Sequence, residues 1–131
     1  MIAVDTNVLV RFLVGDDTRQ SPAARRLLQG GGWLLLGTVL QETVWVLESL
    51  YTKDRAQIAA AIEKLVKLEG VALEVPQLAQ LSQWYRDGMD IADAVHLAMA
   101  TSHHCEKLVT FDATFVKQGR GRTGCVVTIP G

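Results

Sequence analysis

Apolar and polar residues follow one another in short blocks that switch between the strand period and the helix period. Met1-Ile2-Ala3-Val4 is an apolar run that breaks on Asp5, the pattern of a short buried strand, and Thr6-Asn7 turns the chain. Val8 to Val14 continues as a mixed apolar segment containing Arg11, and Asp16-Asp17-Thr18 is a polar loop. Ser21-Pro22 reads as a helix start, a capping residue followed by proline in the first helical position, and that helix runs into Gly30-Gly31-Gly32. Trp33 to Leu36 is a second strand. Thr38 with Gln41 fits a capping box for a helix through Tyr51 whose core face is Leu40, Val44, Leu47 and Tyr51.

Asp54 with Gln57 is a second capping box, for a helix that keeps Ile58, Ile62, Leu65 and Val66 on one side and stops at Gly70. Val71 to Val75 reads as a strand, and Pro76 opens a helix ending near Gly88. Asp90 caps Ile91 to Ser102, a helix apolar almost all round and so expected at the centre. Leu108 to Phe111 is a strand ending at Asp112, and Cys125 to Ile129 is the last strand. Strands alternating with single or paired helices predict an α/β fold with a mostly parallel sheet. No repeat, low-complexity stretch or linker interrupts residues 1–131, so a single domain is expected.

Composition narrows the function. Hydrophobic residues are 49% of the 131, enough for one core and too many for a disordered chain. A net charge of −1 gives no overall field for nucleic acid, so any such contact needs a local basic patch. The 2 cysteines, Cys105 and Cys125, form no CxxC pair, which suits a reducing cytoplasm. Asp5 and Arg11 interrupt any leader-like start, and no apolar stretch approaches the length of a membrane span.

Four acids carry the candidate chemistry. Asp5 and Asp112 each follow an apolar strand, and in a parallel sheet such ends share one edge, where ligands gather. Glu42 lies at the end of the first turn of the helix after the second strand. Asp93 lies in the first turn of the apolar Ile91–Ser102 helix and is expected to be partly buried. Gathering these charges in low dielectric costs several kcal/mol for each unpaired one, roughly. A hard divalent cation removes that cost, and all-oxygen ligation selects Mg²⁺ or Mn²⁺. Three of the four also have a structural explanation: Asp93, with Asp90, as a helix-start acid, Asp112 as the cap of a short helix through Phe115, and Glu42 as a solvated charge.

Asp5-Thr6-Asn7-Val8-Leu9 resembles the opening D-T-N-x-L motif of PIN-domain ribonucleases. Glu42 falls where that family's second acid stands, Asp90-Ile91-Ala92-Asp93-Ala94 resembles its D-x-x-D-A stretch, and Thr110-Phe111-Asp112 its T-x-D element. The order is the family's, from residue 2 to about residue 115, and the length further resembles VapC-type toxins of toxin–antitoxin pairs. The resemblance implies a PIN-like α/β/α sandwich that binds Mg²⁺ or Mn²⁺ and cleaves single-stranded RNA by activated water. Asp5, Asp93 and Asp112 would ligate metal, Glu42 would complete the site, and Thr6, Asn7 and Thr110, with Asp90, would support the carboxylates. It also implies a homodimer and a cognate antitoxin whose tail covers the acids. A housekeeping processing nuclease and a non-catalytic RNA- or protein-binding domain are the alternatives.

Other chemistries fit less well. A phosphatase acting through an aspartyl phosphate needs a second acid two positions after the first, where Asn7 stands. His103, His104 and Cys105 are adjacent and cannot easily converge on one zinc ion, and His96 reads as a packing residue. Candidate RNA contacts are Arg11, Arg19, Lys117, Arg120 and Arg122, the last three in a glycine-rich basic stretch that reads as an exposed loop or simply a solvated one. Trp33, Trp45 and Trp84 leave room for an apolar surface, though tryptophan is more often core.

Overall fold

All five strands predicted by the hydrophobic pattern form, and all of their pairings are parallel. The computed structural model describes residues 1–131. Its order is β1 (Ile2–Ala3), α1 (Thr6–Val14), α2 (Gln20–Gln29), β2 (Trp33–Leu35), α3 (Gly37–Ser49), α4 (Arg55–Val66), β3 (Val71–Leu73), α5 (Leu78–Arg86), α6 (Ile91–Ser102), β4 (Lys107–Val109), α7 (Ala113–Gly119) and β5 (Val126–Thr128). One sheet runs β1-β2-β3, with Trp33 opposite both Ile2 and Val71. A second, separate ladder joins β4 to β5, with Leu108 opposite Val127, so the strands ahead of Asp5 and Asp112 belong to different sheets rather than sharing one edge as expected. Parallel neighbours require crossovers, and the seven helices supply them, giving the expected PIN-like α/β fold.

The core is one cluster of 29 buried residues. Leu9 and Phe12 of α1, Trp33 and Leu35 of β2, Leu40, Val44 and Leu47 of α3, and Ile58, Ile62 and Leu65 of α4 belong to it. These are the positions that helical spacing marked on α3 and α4, with Tyr51 and Val66 only half-buried. On α6, Ile91, Ala94, Val95, Leu97 and Ala98 are buried. His96 is exposed rather than packed, because it falls on the one side of α6 that no other element covers.

Several helix starts differ from the sequence reading for identifiable reasons. Thr6 and Asn7 are not a turn: Asp5 caps α1 directly. Ser21 does not cap α2, since Asp17 accepts from the amides of Arg19 (2.9 Å) and Gln20 (2.6 Å), bonds that hold its carboxyl below the usual range. The Thr38–Gln41 box does not form, because α3 begins at Gly37 and the Gly37 amide donates to Glu74 Oε1 at 2.7 Å. Pro76 precedes its helix, separated from α5 by Gln77 in the left-handed region (φ 59°). β4 ends at Val109, and Thr110 turns the chain into α7, where Asp112 is the cap. The Asp54–Gln57 box forms in full, with reciprocal bonds of 2.8 and 3.0 Å.

Candidate active site

Each acid of the quartet is placed by the end of a strand or the first turn of a helix. Asp5 leaves β1 and accepts from the Thr6 amide at 2.7 Å. Thr6 is buried and donates its hydroxyl to Glu42 Oε1 on α3, which ties the end of β1 to α3. Asp5, Thr6, Asn7, Arg11 and Glu42 line a concavity of ≈ 320 Å³. Arg11 stands at its side, its Nε donating to Gln20 Oε1 at 2.8 Å and its Nη1 3.4 Å from Asp16.

A second pair sits at the starts of α6 and α7. Asp90 caps α6, accepting from the Ala92 amide at 3.0 Å, and Asp93 follows in the first turn, half-buried. Asp112 caps α7, accepting from the amides of Thr114 (2.9 Å) and Phe115 (3.3 Å). Burial first, then the negative charges of Asp90 and Asp112, hold the Asp93 carboxyl above the usual carboxylate range, against a smaller opposing pull from His96. Asp93 and Asp112, 19 positions apart in sequence, therefore act on one another electrostatically.

Glu42 faces the start of α6 as well as Asp5. It also borders a concavity of ≈ 430 Å³ between α3 and the start of α6, lined by Thr38, Gln41, Trp45, Glu48, Asp90, Ile91 and Ala92. The start of α6 is braced from behind. Arg55 Nη1 donates to the carbonyls of Tyr85 (2.7 Å) and Met89 (2.9 Å), with its guanidinium 4.5 Å from the Tyr85 ring centre. The Tyr85 hydroxyl donates to Glu48 Oε2 at 2.6 Å, and burial together with that carboxylate raises its pKa above the usual phenol range.

The donor set is all oxygen and mutually repulsive, the chemistry that suits a hard divalent cation. It stands as two pairs, Asp5 with Glu42 and Asp93 with Asp112, and no three His, Cys, Asp or Glu side chains form a group that could hold one ion. Of the supporting residues, Thr6 holds a carboxylate as expected and Asn7 lines the same concavity. Thr110 instead accepts from the Asp112 amide at 3.0 Å, so it shapes the turn into α7. The basic stretch is not an open loop. Lys117 lies in α7, Gly119 is buried against Val127, and Arg122 is paired with Asp87 at 2.9 Å. Lys117 and Arg120 remain exposed.

Trp45, Glu48, Arg55 and Tyr85 are site neighbours that sequence reasoning did not assign. Trp45 carried a signal, standing three residues after Glu42 on the same helix face. Arg55 and Tyr85 meet across 30 positions of sequence, which no local pattern reveals.

A family model for the PIN domain matches residues 2–121, and the chain belongs to the PIN-domain family. PIN domains are generally nucleases and typically use divalent metal ions. No curated protein and no solved structure matches the chain significantly. No helix is long and apolar enough to cross a membrane.

Proposed function

We propose that this PIN domain is a Mg²⁺- or Mn²⁺-dependent endoribonuclease that hydrolyses phosphodiester bonds of single-stranded RNA, acting in the cytoplasm as the toxin of a toxin–antitoxin pair. The reading is supported by the PIN-domain match over residues 2–121 together with the placement of Asp93, a half-buried carboxyl that feels the charges of Asp90 and Asp112. Such crowding works against stability unless the site binds positive charge. Asp5, Asp93 and Asp112 would hold the cation, with Glu42 completing the set, which requires the cation to draw together two pairs that stand apart in this structure. When bound, the cation would lower the pKa of a water and offset charge growing on the scissile phosphate.

The chain's own residues do the rest. Thr6 orients Glu42 through its hydroxyl, and Asp90 and Asp112 fix the helix starts that present Asp93 and Asp112 itself. Arg11 offers a guanidinium beside Asp5 and Glu42 for a flanking phosphate. Exposed Lys117 and Arg120 extend a path for the backbone, whereas Arg122 must first leave Asp87.

Partners follow from the same reading. The groove between α1 and α2, lined by Val8, Arg11, Ala23, Ala24 and Leu27, is open and mostly apolar, and an antitoxin segment would lie there. Exposed Val109, Phe111 and Val126 on the β4–β5 side offer a surface to a second copy in a homodimer. The test is cleavage of a mixed single-stranded RNA pool with Mg²⁺, with Mn²⁺ or with EDTA, beside Asp5→Asn. Cleavage that requires the cation and disappears in the variant is the expected result. Cleavage unaffected by EDTA or by the substitution would overturn the reading.

A further inference from the structure

Trp45 is the one tryptophan this fold leaves in solvent. Trp33 and Trp84 are 0% and 4% exposed, while Trp45 is 57% exposed on the stripe of α3 that also carries Glu42. A bare indole forgoes the burial of a large apolar surface, and nothing in the packing of α3 requires it at this position. Around it, the ≈ 430 Å³ concavity is large enough for a flat heterocycle. Its rim carries the acceptors of Gln41, Glu42, Glu48 and Asp90 and no lysine or arginine. A phosphate is repelled by such a rim. A neutral ring that stacks on the indole and offers exocyclic amino hydrogens to the carboxylates is accepted by it.

The adjoining concavity has the complementary character. It shares Glu42 and adds the guanidinium of Arg11. A nucleotide whose phosphate lies on the Arg11 side would therefore carry its base across Glu42 toward Trp45. We propose that Trp45 is a stacking platform for an unpaired base of the RNA, one that prefers the amino-bearing bases cytosine, adenine and guanine to uracil. This deepens the proposed ribonuclease reading and rests on it. Trp45 acts here on binding and register, placing the neighbouring phosphate against the acids.

Because the other two tryptophans are buried, a ligand-induced change in fluorescence reports mainly on Trp45, over a constant contribution from Trp33 and Trp84. The test titrates short oligocytidylate, oligoadenylate and oligouridylate into the full chain in EDTA, so that binding is read without cation-dependent cleavage. The expected result is quenching by the cytosine and adenine oligomers, with weaker binding of the uracil oligomer. Trp45→Ala, followed by labelled oligonucleotide anisotropy, should lose about tenfold in affinity, and Trp45→Phe should recover most of it. Unchanged thermal unfolding of Trp45→Ala would show that the loss is not a folding defect.

Equal affinity of wild type and Trp45→Ala overturns the proposal. So does a wild-type dimer that Trp45→Ala converts to monomer in sedimentation, which would assign the indole to a protein interface. Quenching by an arginine-rich peptide but by no oligonucleotide also overturns it. The ribonuclease reading fails separately, in the Asp5→Asn cleavage assay.

Discussion

Replacing Arg55 by methionine tests how the start of α6 is held. The side chain donates to the carbonyls of Tyr85 and Met89 at 2.7 and 2.9 Å and lies 4.5 Å over the Tyr85 ring, and Met89 immediately precedes the cap Asp90. A hydrogen bond from a charged donor contributes about 1.5–3 kcal/mol net, and a cation over a ring about 0.5–1 kcal/mol. One nitrogen makes both bonds and the side chain is half-buried, so the terms do not add in full, and a loss of about 3 kcal/mol is expected. With a urea slope of roughly 2 kcal/mol per molar for a domain of this size, the unfolding midpoint should fall by about 1.5 M at unchanged slope. Methionine keeps the aliphatic stem, so packing is spared and the lost bonds are what is measured. A shift below about 0.3 M, on the same slope, would show that Arg55 does not brace α6.

Three further substitutions address the cap, the tight packing of α7 and the charge on Asp93. Asp54→Ala should cost about 1 kcal/mol in urea unfolding, because both halves of a reciprocal capping box are lost; an unchanged midpoint would contradict the cap. Gly119→Ala places a Cβ 2.6 Å from Val127 Cγ2 and should cost about 1–3 kcal/mol, read as a lower thermal midpoint. Asp93 has its folded pKa raised, so its contribution is fully present below the unfolded value near 3.8 and is lost as pH rises through the folded value. Asp93→Asn should therefore stabilise the protein at neutral pH in EDTA, with the advantage shrinking toward pH 4. An advantage that is equal at both pH values would refute the electrostatic cause.

Strand positions and helix faces were legible in the sequence because both are set by period. Val4, Leu35, Val44, Ile62 and Leu97 alternate or recur with their element and are all buried. The family was legible for a related reason: each acid of the quartet stands beside a local landmark, a strand end or a helix start. What stayed hidden depended on distant partners. Glu74 displaced Thr38 as the group that meets the start of α3, Asp87 neutralised Arg122, and Arg55 reached Tyr85, contacts spanning 37, 35 and 30 positions. Local pattern places a side chain on a face but does not say what comes to meet it. His96 and Trp45 show the same limit from the other side, since an apolar helix and a core-prone residue type pointed them toward packing, yet both lie in solvent.

In the proposed ribonuclease, Asp5 with Glu42 and Asp93 with Asp112 serve one cation site. Calorimetric titration of Mn²⁺ into the wild type, Asp5→Asn and Asp112→Asn tests it most directly. The wild type is expected to bind, and each substitution, though made in a different pair, to abolish or sharply weaken the binding while thermal unfolding stays cooperative. Full affinity in either variant would contradict it, and would leave the two pairs as separate features of the fold.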